Sequence, residues 1–133
     1  RVMNSRDLIE FAHDAAQYAH APYSGFSVGA AILAASGKIY TGCNIESSSY
    51  GLTICAERVA IYKALSEGEK EFSAIAVTTR RYDYCPPCGA CRQVLWDLIH
   101  DIDVILTMKD KIEIIRLSEL LPNAFDERYL PHE

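Results

Sequence analysis

Two short stretches hold the side chains best suited to metal and acid–base chemistry: Cys55-Ala56-Glu57-Arg58 and Pro87-Cys88-Gly89-Ala90-Cys91-Arg92-Gln93. Three soft thiolates in two clusters, the second a Cys-x-x-Cys preceded by proline, suit a single tetrahedral zinc ion. Three protein ligands leave a fourth position open, the pattern of a catalytic site rather than a closed structural one. The same spacing also fits a structural zinc that merely staples two helices. Glu57 lies two residues from Cys55 and is not needed as a ligand, but the spacing alone leaves the two readings close. Cys85 forms a second Cys-x-x-Cys with Cys88, so the residues alone offer two choices of ligand pair in the second cluster.

These side chains constrain the elements that carry them. Residues two apart on a helix point to nearly opposite sides, so Cys55 and Glu57 can flank one ion only from a helix tip. Cys88 and Cys91, three apart, share a helix face. Both clusters are therefore expected to open helices whose starts face each other across the metal. Three thiolates around a divalent cation carry a net charge of −1, which weakens the ion as a Lewis acid. The positive ends of the two helices offset that charge, and Arg58 and Arg92, in the same first turns, are candidate guanidinium donors to sulfur.

The remaining chain supplies a scaffold. Ser5 is placed to cap a helix whose apolar residues Leu8, Phe11, Ala12, Ala15 and Ala19 recur at helical spacing and stop before Pro22. Residues 26–34 and 38–44 read as strands of a hairpin turned at Gly37. A serine-rich loop, 45–53, leads to the Cys55 helix, which ends near Gly68. A buried strand follows at 72–79, then a loop, 80–87, that delivers Cys88 to a helix striped with Val94, Leu95, Leu98 and Ile99. Strands at 104–108 and 112–117 are too close in sequence for a parallel crossover and predict an antiparallel pair. A short helical turn at 118–121 stops at Pro122. The order αββαβαββ predicts a mixed sheet with helices packed on it.

With 133 residues, half of them apolar, the chain has one domain's worth of core. The formal charge of −5, with Lys and Arg scattered, disfavours a nucleic-acid partner. Five cysteines, an odd number, read as metal or redox residues in a reducing compartment rather than a disulfide framework. The opening Arg1-Val2-Met3-Asn4-Ser5 has no apolar signal core, and no run reaches bilayer length, so a cytoplasmic location is expected, with no membrane partner. Cys43 reads as a small buried apolar residue, and His13, His20, His100 and His132, falling in no motif, as surface or cap residues.

Cys-Ala-Glu-Arg with Pro-Cys-Gly-Ala-Cys-Arg-Gln-Val resembles the small cytidine deaminases of free-nucleoside salvage, in their all-cysteine zinc variant. The likeness extends through Phe26-Ser27-Val28-Gly29-Ala30-Ala31 and Gly42-Cys43-Asn44-Ile45-Glu46 to Glu119-Leu120-Leu121-Pro122 and Phe125, nearly the whole chain. It implies a three-layer α/β fold over residues 1–133, with a mixed five-stranded sheet, helices on both faces and the last two strands antiparallel. It selects Cys55, Cys88 and Cys91 as ligands of one zinc per chain, leaving Cys85 a bystander, and gives Arg58 a place beside the sulfurs. Glu57 becomes the proton carrier in hydrolytic deamination of cytidine and 2′-deoxycytidine to the uridine products. The substrate residues implied are Phe26 against the base, Asn44 and Glu46 at the ribose, Ala56 beside the metal, and Tyr50 and Phe125 contributed by neighbouring chains of a homotetramer. Two rival readings remain: a deaminase of another cytosine-bearing substrate, an antibiotic or a polynucleotide, and a non-catalytic zinc-stapled or thiol-redox module. The acidic charge and the short connection between the last two strands weigh against the polynucleotide.

Overall fold

The computed structural model describes residues 4–131; Arg1-Val2-Met3 and His132, both read above, lie outside them. Helix α1, Ser5–Ala16, buries Leu8, Ile9, Ala12, Ala15 and Ala16 along one face; of the expected stripe Leu8, Ala12 and Ala15 are buried, whereas Phe11 is exposed and Ala19 lies past the helix end. Its cap is Asn4 and not Ser5: the Asn4 side-chain oxygen accepts from the Asp7 N–H at 2.9 Å, the reach from a cap to the third helical residue. The hairpin forms from β1, Val28–Ala34, and β2, Ile39–Cys43. Strand β1 begins two residues later than expected. The Asn44 side chain, rather than a neighbouring strand, binds the backbone of Phe26 and Val28 there. Then come α2, Ala56–Ser66; β3, Phe72–Thr79; α3, Gly89–Ile99; β4, Asp103–Met108; β5, Lys111–Arg116; and the turn α4, Leu117–Leu120.

The strands lie in the order β2-β1-β3-β4-β5. Only the β3–β4 pair is parallel; β4–β5 is the expected antiparallel hairpin. The parallel pair requires a crossover, and α3 supplies it. Alternation along the strands then sorts the side chains into two layers. Ala30, Ile32, Ile75, Val77, Val104 and Leu106 pack with Ala60, Ile61 and Ala64 of α2 and Leu95 of α3. On the opposite face Ala31, Ala74, Ala76 and Ile105 pack with Leu8, Ile9 and Ala12 of α1. The result is the mixed five-stranded sheet with helices on both sides. Leu98, assigned to the buried stripe of α3, is instead exposed, since Cys91 and Leu95 already fill the face turned to the sheet. Among the described residues, no helix is long and apolar enough to cross a membrane.

Two features of this scaffold set the helix tips. Strand β2 passes so close to α2 that a Cβ on Gly42 would stand 2.4 Å from the Ala56 carbonyl oxygen and 2.6 Å from the Ala60 nitrogen. Only glycine fits there. The loop that leads to α3 is pinned to the far side of the sheet: Tyr82, in a left-handed conformation (φ 56°), stacks on His13 at 4.2 Å, and its hydroxyl donates to Glu10. The His13 ring also pairs with the Arg80 carbonyl at 3.0 Å, while the Arg80 guanidinium donates to the His13 carbonyl at 2.9 Å. His13 is thus a structural clasp rather than the free surface residue expected of it. Behind it, the Thr107 hydroxyl donates to the Asp83 carbonyl at 3.1 Å and Lys109 pairs with the Asp83 carboxylate.

Gly42→Ala should drive α2 away from β2, costing about 1–3 kcal/mol or more as an overpacking change, and should lower zinc retention by displacing Cys55. Gly51→Ala, whose added methyl meets open space, should leave both intact. Denaturant midpoints and metal analysis of the two proteins decide this.

Candidate active site

Cys55 and Cys88 are the N-cap residues of α2 and α3, both in extended conformation, and neither side chain caps its own helix. The sulfurs are therefore free to leave the helix axis, and they converge: Cys55 Sγ and Cys88 Sγ lie 3.8 Å apart, and with Cys91 Sγ all three fall within 4.8 Å of one another. A tetrahedral zinc with Zn–S bonds of about 2.3 Å places its sulfurs about 3.8 Å apart, so the cluster fits that ion. All five cysteines are unpaired, and Cys85 stands outside the cluster, packed against the core, its thiol pushed up to about 11 by burial and by the nearby Glu57 charge. Of the two Cys-x-x-Cys pairs, it is Cys88 and Cys91 that cluster with Cys55. Cys43 is half-buried and its thiol is likewise pushed up by burial.

The charge on the sulfurs is managed locally. The Cys91 thiol and the Arg58 guanidinium both hydrogen-bond Cys55, holding its thiol well below the usual range, and Arg58 Nη2 donates to Cys55 Sγ at 3.4 Å. Cys91, fully buried, is pushed up by the same bond to Cys55 and by burial. The free N–H groups at both helix starts add positive potential at the cluster. Arg92 behaves otherwise than expected. Its Nε donates to the Pro87 carbonyl at 2.7 Å and its Nη1 to the Leu120 carbonyl at 2.8 Å, so it braces the backbone that delivers Cys88.

Glu57 lies in the first turn of α2 and is only 4% exposed. Burial, together with the charge on Cys55, pushes its carboxyl up to about 7, against the pull of backbone and Cys91 hydrogen bonds. A carboxyl poised there can both take and return a proton near neutral pH.

The remaining sequence candidates gather in part. Ile45 and Ile54 exchange both backbone hydrogen bonds at 2.9 Å, which brings Asn44 and Glu46 alongside the start of α2. Asn44 is buried, and its amide bridges Phe26 and Val28: Nδ2 donates to the Phe26 carbonyl at 2.7 Å and Oδ1 accepts from the Val28 N–H at 2.9 Å. One N–H and one lone pair remain to it. Glu46 accepts from the Tyr23 and Ser24 N–H groups and from the Ser24 hydroxyl, which hold its carboxyl below the usual range. Tyr23 and Ser24 were missed from sequence; the Pro22-Tyr23-Ser24-Gly25 turn beside Phe26 was their only signal. Tyr23 meets Tyr50 edge-on at 6.0 Å, and the two, with Ser24, Glu46, Ser47 and Thr53, line one cleft. Phe26 is 46% exposed and so is not a core residue. Ala56 is fully buried, backbone as well as methyl, at the tip of α2. Phe125 is 57% exposed and stacks on Tyr129 at 5.9 Å.

Three thiols at two facing helix tips, with a buried carboxyl beside them, define a metal-dependent hydrolytic centre. Comparison with known proteins specifies its kind. The family model for the cytidine and deoxycytidylate deaminase zinc-binding region matches residues 3–107. A cytidine deaminase from Sporosarcina psychrophila is 45% identical over 132 residues, covering 98% of this chain and 97% of that one. One from Halalkalibacterium halodurans is 49% identical over 125 residues, covering 92% and 95%. The crystal structure of cytidine deaminase from Burkholderia pseudomallei matches with a TM-score of 0.87 and 45% identity over 92% of this chain and 100% of that one. The chain belongs to the cytidine and deoxycytidylate deaminase family, and its domain is a zinc-binding one.

Replacing Cys55, Cys88 or Cys91 singly by Ser should abolish the stoichiometric zinc of the purified protein, whereas Cys85→Ser should keep it. Zinc lost from Cys85→Ser and kept in Cys91→Ser would reverse the assignment.

Proposed function

We propose that this chain hydrolyses cytidine and 2′-deoxycytidine to uridine and 2′-deoxyuridine, as a pyrimidine-salvage enzyme. The observation that carries this reading is the buried Glu57 carboxyl beside a three-sulfur cluster that no fourth Cys, His, Asp or Glu joins among the described residues. Relatives that match nearly the whole chain are cytidine deaminases, which favours a free nucleoside over the polynucleotide and antibiotic alternatives and over a non-catalytic module. The charge of −5 agrees with a partner that is not a nucleic acid. We read all 133 residues as one catalytic domain, and the unpaired thiols suit the reducing cytoplasm.

Held by Cys55, Cys88 and Cys91, zinc supplies Lewis-acid activation of a water molecule. Glu57 takes the proton from the attacking water and returns protons to ring N3 and to the exocyclic amine, so that ammonia leaves and C4 gains its carbonyl oxygen. Arg58 tempers the charge on Cys55, and Arg92 holds the Pro87 turn. Phe26 forms an aromatic wall for the base, Ala56 lies beside the metal ligands at the helix tip, and Asn44 and Glu46 meet the ribose hydroxyls with their remaining lone pairs and N–H. Tyr50 at 75% exposure and Phe125, Tyr129 and Leu130 at more than half form apolar surface that a lone chain leaves wet. A homotetramer that sets Tyr50 and Phe125 at neighbours' sites would cover it.

Glu57→Ala should fold and keep its zinc while losing roughly 10²- to 10⁴-fold or more of the turnover, as expected for a lost general acid–base group. Near-normal loss of cytidine absorbance in zinc-replete Glu57→Ala would sink the mechanism. For the shared site, mixing Glu57→Ala with Phe125→Ala chains under subunit exchange should restore activity; a fully mixed, inactive population would return Phe125 to its own chain.

A further inference from the structure

Asp126 is a carboxylate with a wholly buried side chain in a segment whose neighbours Phe125, Tyr129 and Leu130 are more than half exposed. It accepts from the Trp96 indole N–H at 2.9 Å, from Arg128 Nη2 at 2.8 Å and Nε at 2.9 Å, and from the Arg128 backbone N–H at 3.0 Å. Arg128 first, and then Trp96, hold its carboxyl far below the usual range against the opposing effect of burial. A buried charge is costly unless it is fully partnered, and this one is. Its partnering fixes a short stretch of tail in a conformation that keeps the Phe125 and Tyr129 rings more than half exposed.

The helix that receives the tail is the one that carries two of the metal sulfurs. From two adjacent turns of α3, Arg92 donates to the Leu120 carbonyl, Gln93 Nε2 to the Phe125 carbonyl at 2.7 Å, and Trp96 to Asp126. Gln93 holds the Phe125 backbone at one point. Asp126 supplies the second, on the next residue, and two adjacent anchors on one rigid helix determine where the Phe125 ring points. Resting on the reading of Phe125 as a substrate residue, we propose that Asp126 is a positioning residue for deamination: its bond to Trp96 latches the tail onto α3 and aims Phe125 at the nucleoside, while Arg128, within the tail, holds the carboxylate in place for that bond.

Trp96 is the only tryptophan in the chain, so its fluorescence reads the latch directly. Asp126→Ala should retain stoichiometric zinc, shift Trp96 emission to the red, and raise KM for cytidine roughly tenfold with kcat little changed, the pattern of a lost binding contact. Because the effect passes through Phe125, adding Asp126→Ala to Phe125→Ala should change KM less than about twofold. An unaltered KM in Asp126→Ala, or the same tenfold rise on top of Phe125→Ala, overturns the proposal. Trp96→Phe keeps an aromatic ring and deletes the indole N–H; should Asp126→Ala not fold, Trp96→Phe must show the same non-additivity with Phe125→Ala, and additivity there overturns the latch equally. Wild-type protein inert toward cytidine would fail the functional reading. Phe125→Ala with a normal KM would fail the Phe125 assignment and the latch together, whereas a raised KM there beside a normal one in Asp126→Ala fails the latch alone.

Discussion

Three thiolates cannot be crowded into one place without something positive to hold them, and the rest of the structure depends on meeting that requirement. Like charges within 4.8 Å, one of them on a fully buried side chain, repel strongly wherever water is excluded. The cation is one answer; the others belong to the chain. Two helix starts place their positive ends at the cluster, and a guanidinium 3.4 Å from Cys55 spreads the remaining charge. Because those groups are anchored in regular structure, the positive potential is in place before any metal arrives.

Two helix tips meet face to face only if each is steered independently, and the fold steers them from opposite directions. Helix α2 is fixed from the sheet edge, by the Gly42 close approach and the Ile45–Ile54 backbone pair. Helix α3 is fixed through the loop before it, which Tyr82, His13 and Arg80 clasp to α1 on the far face of the sheet. The pairing of Ile45 with Ile54 has a second consequence. It sets Asn44 and Glu46 beside the metal-bearing tip, so the segment that steers the ligand also carries the polar groups available for a sugar.

Much of this was legible in the sequence because it rests on local rules. The two-residue spacing of Cys55 and Glu57 excluded a mid-helix position, and both clusters open helices in the structure. Apolar segments bounded by turn residues marked all five strands to within a few residues, and the few residues between the last two required that pair to be antiparallel. What escaped were polar contacts between residues far apart in the chain, which leave no periodic trace. The His13–Arg80 clasp spans 67 positions and the Trp96–Asp126 bond spans 30, and neither residue type announces a partner. Arg92 illustrates the same limit within a motif: its place one residue after Cys91 suggested a donor to sulfur, yet carbonyls at Pro87 and Leu120 lie within its reach and take its N–H groups.

The helix α3 joins these threads. A catalytic metal site demands that ligands, proton carrier and substrate contacts hold their mutual geometry closely, and residues on one helix do so with least freedom. Cys88 and Cys91 occupy its start, and Arg92, Gln93 and Trp96 take hold of three successive points of the tail, at Leu120, Phe125 and Asp126. Movement of the tail is therefore resisted by the same rod that fixes two sulfurs. Among the described residues the tail has no helix or strand beyond short turns to stiffen it, and its apolar rings are more than half exposed. Its order comes from side-chain hydrogen bonds to α3, and the charge of Asp126 strengthens one of them: a tail conformation that leaves α3 gives up the bond from the Trp96 indole N–H to a carboxylate, and a hydrogen bond to a charged group contributes more than an ordinary one.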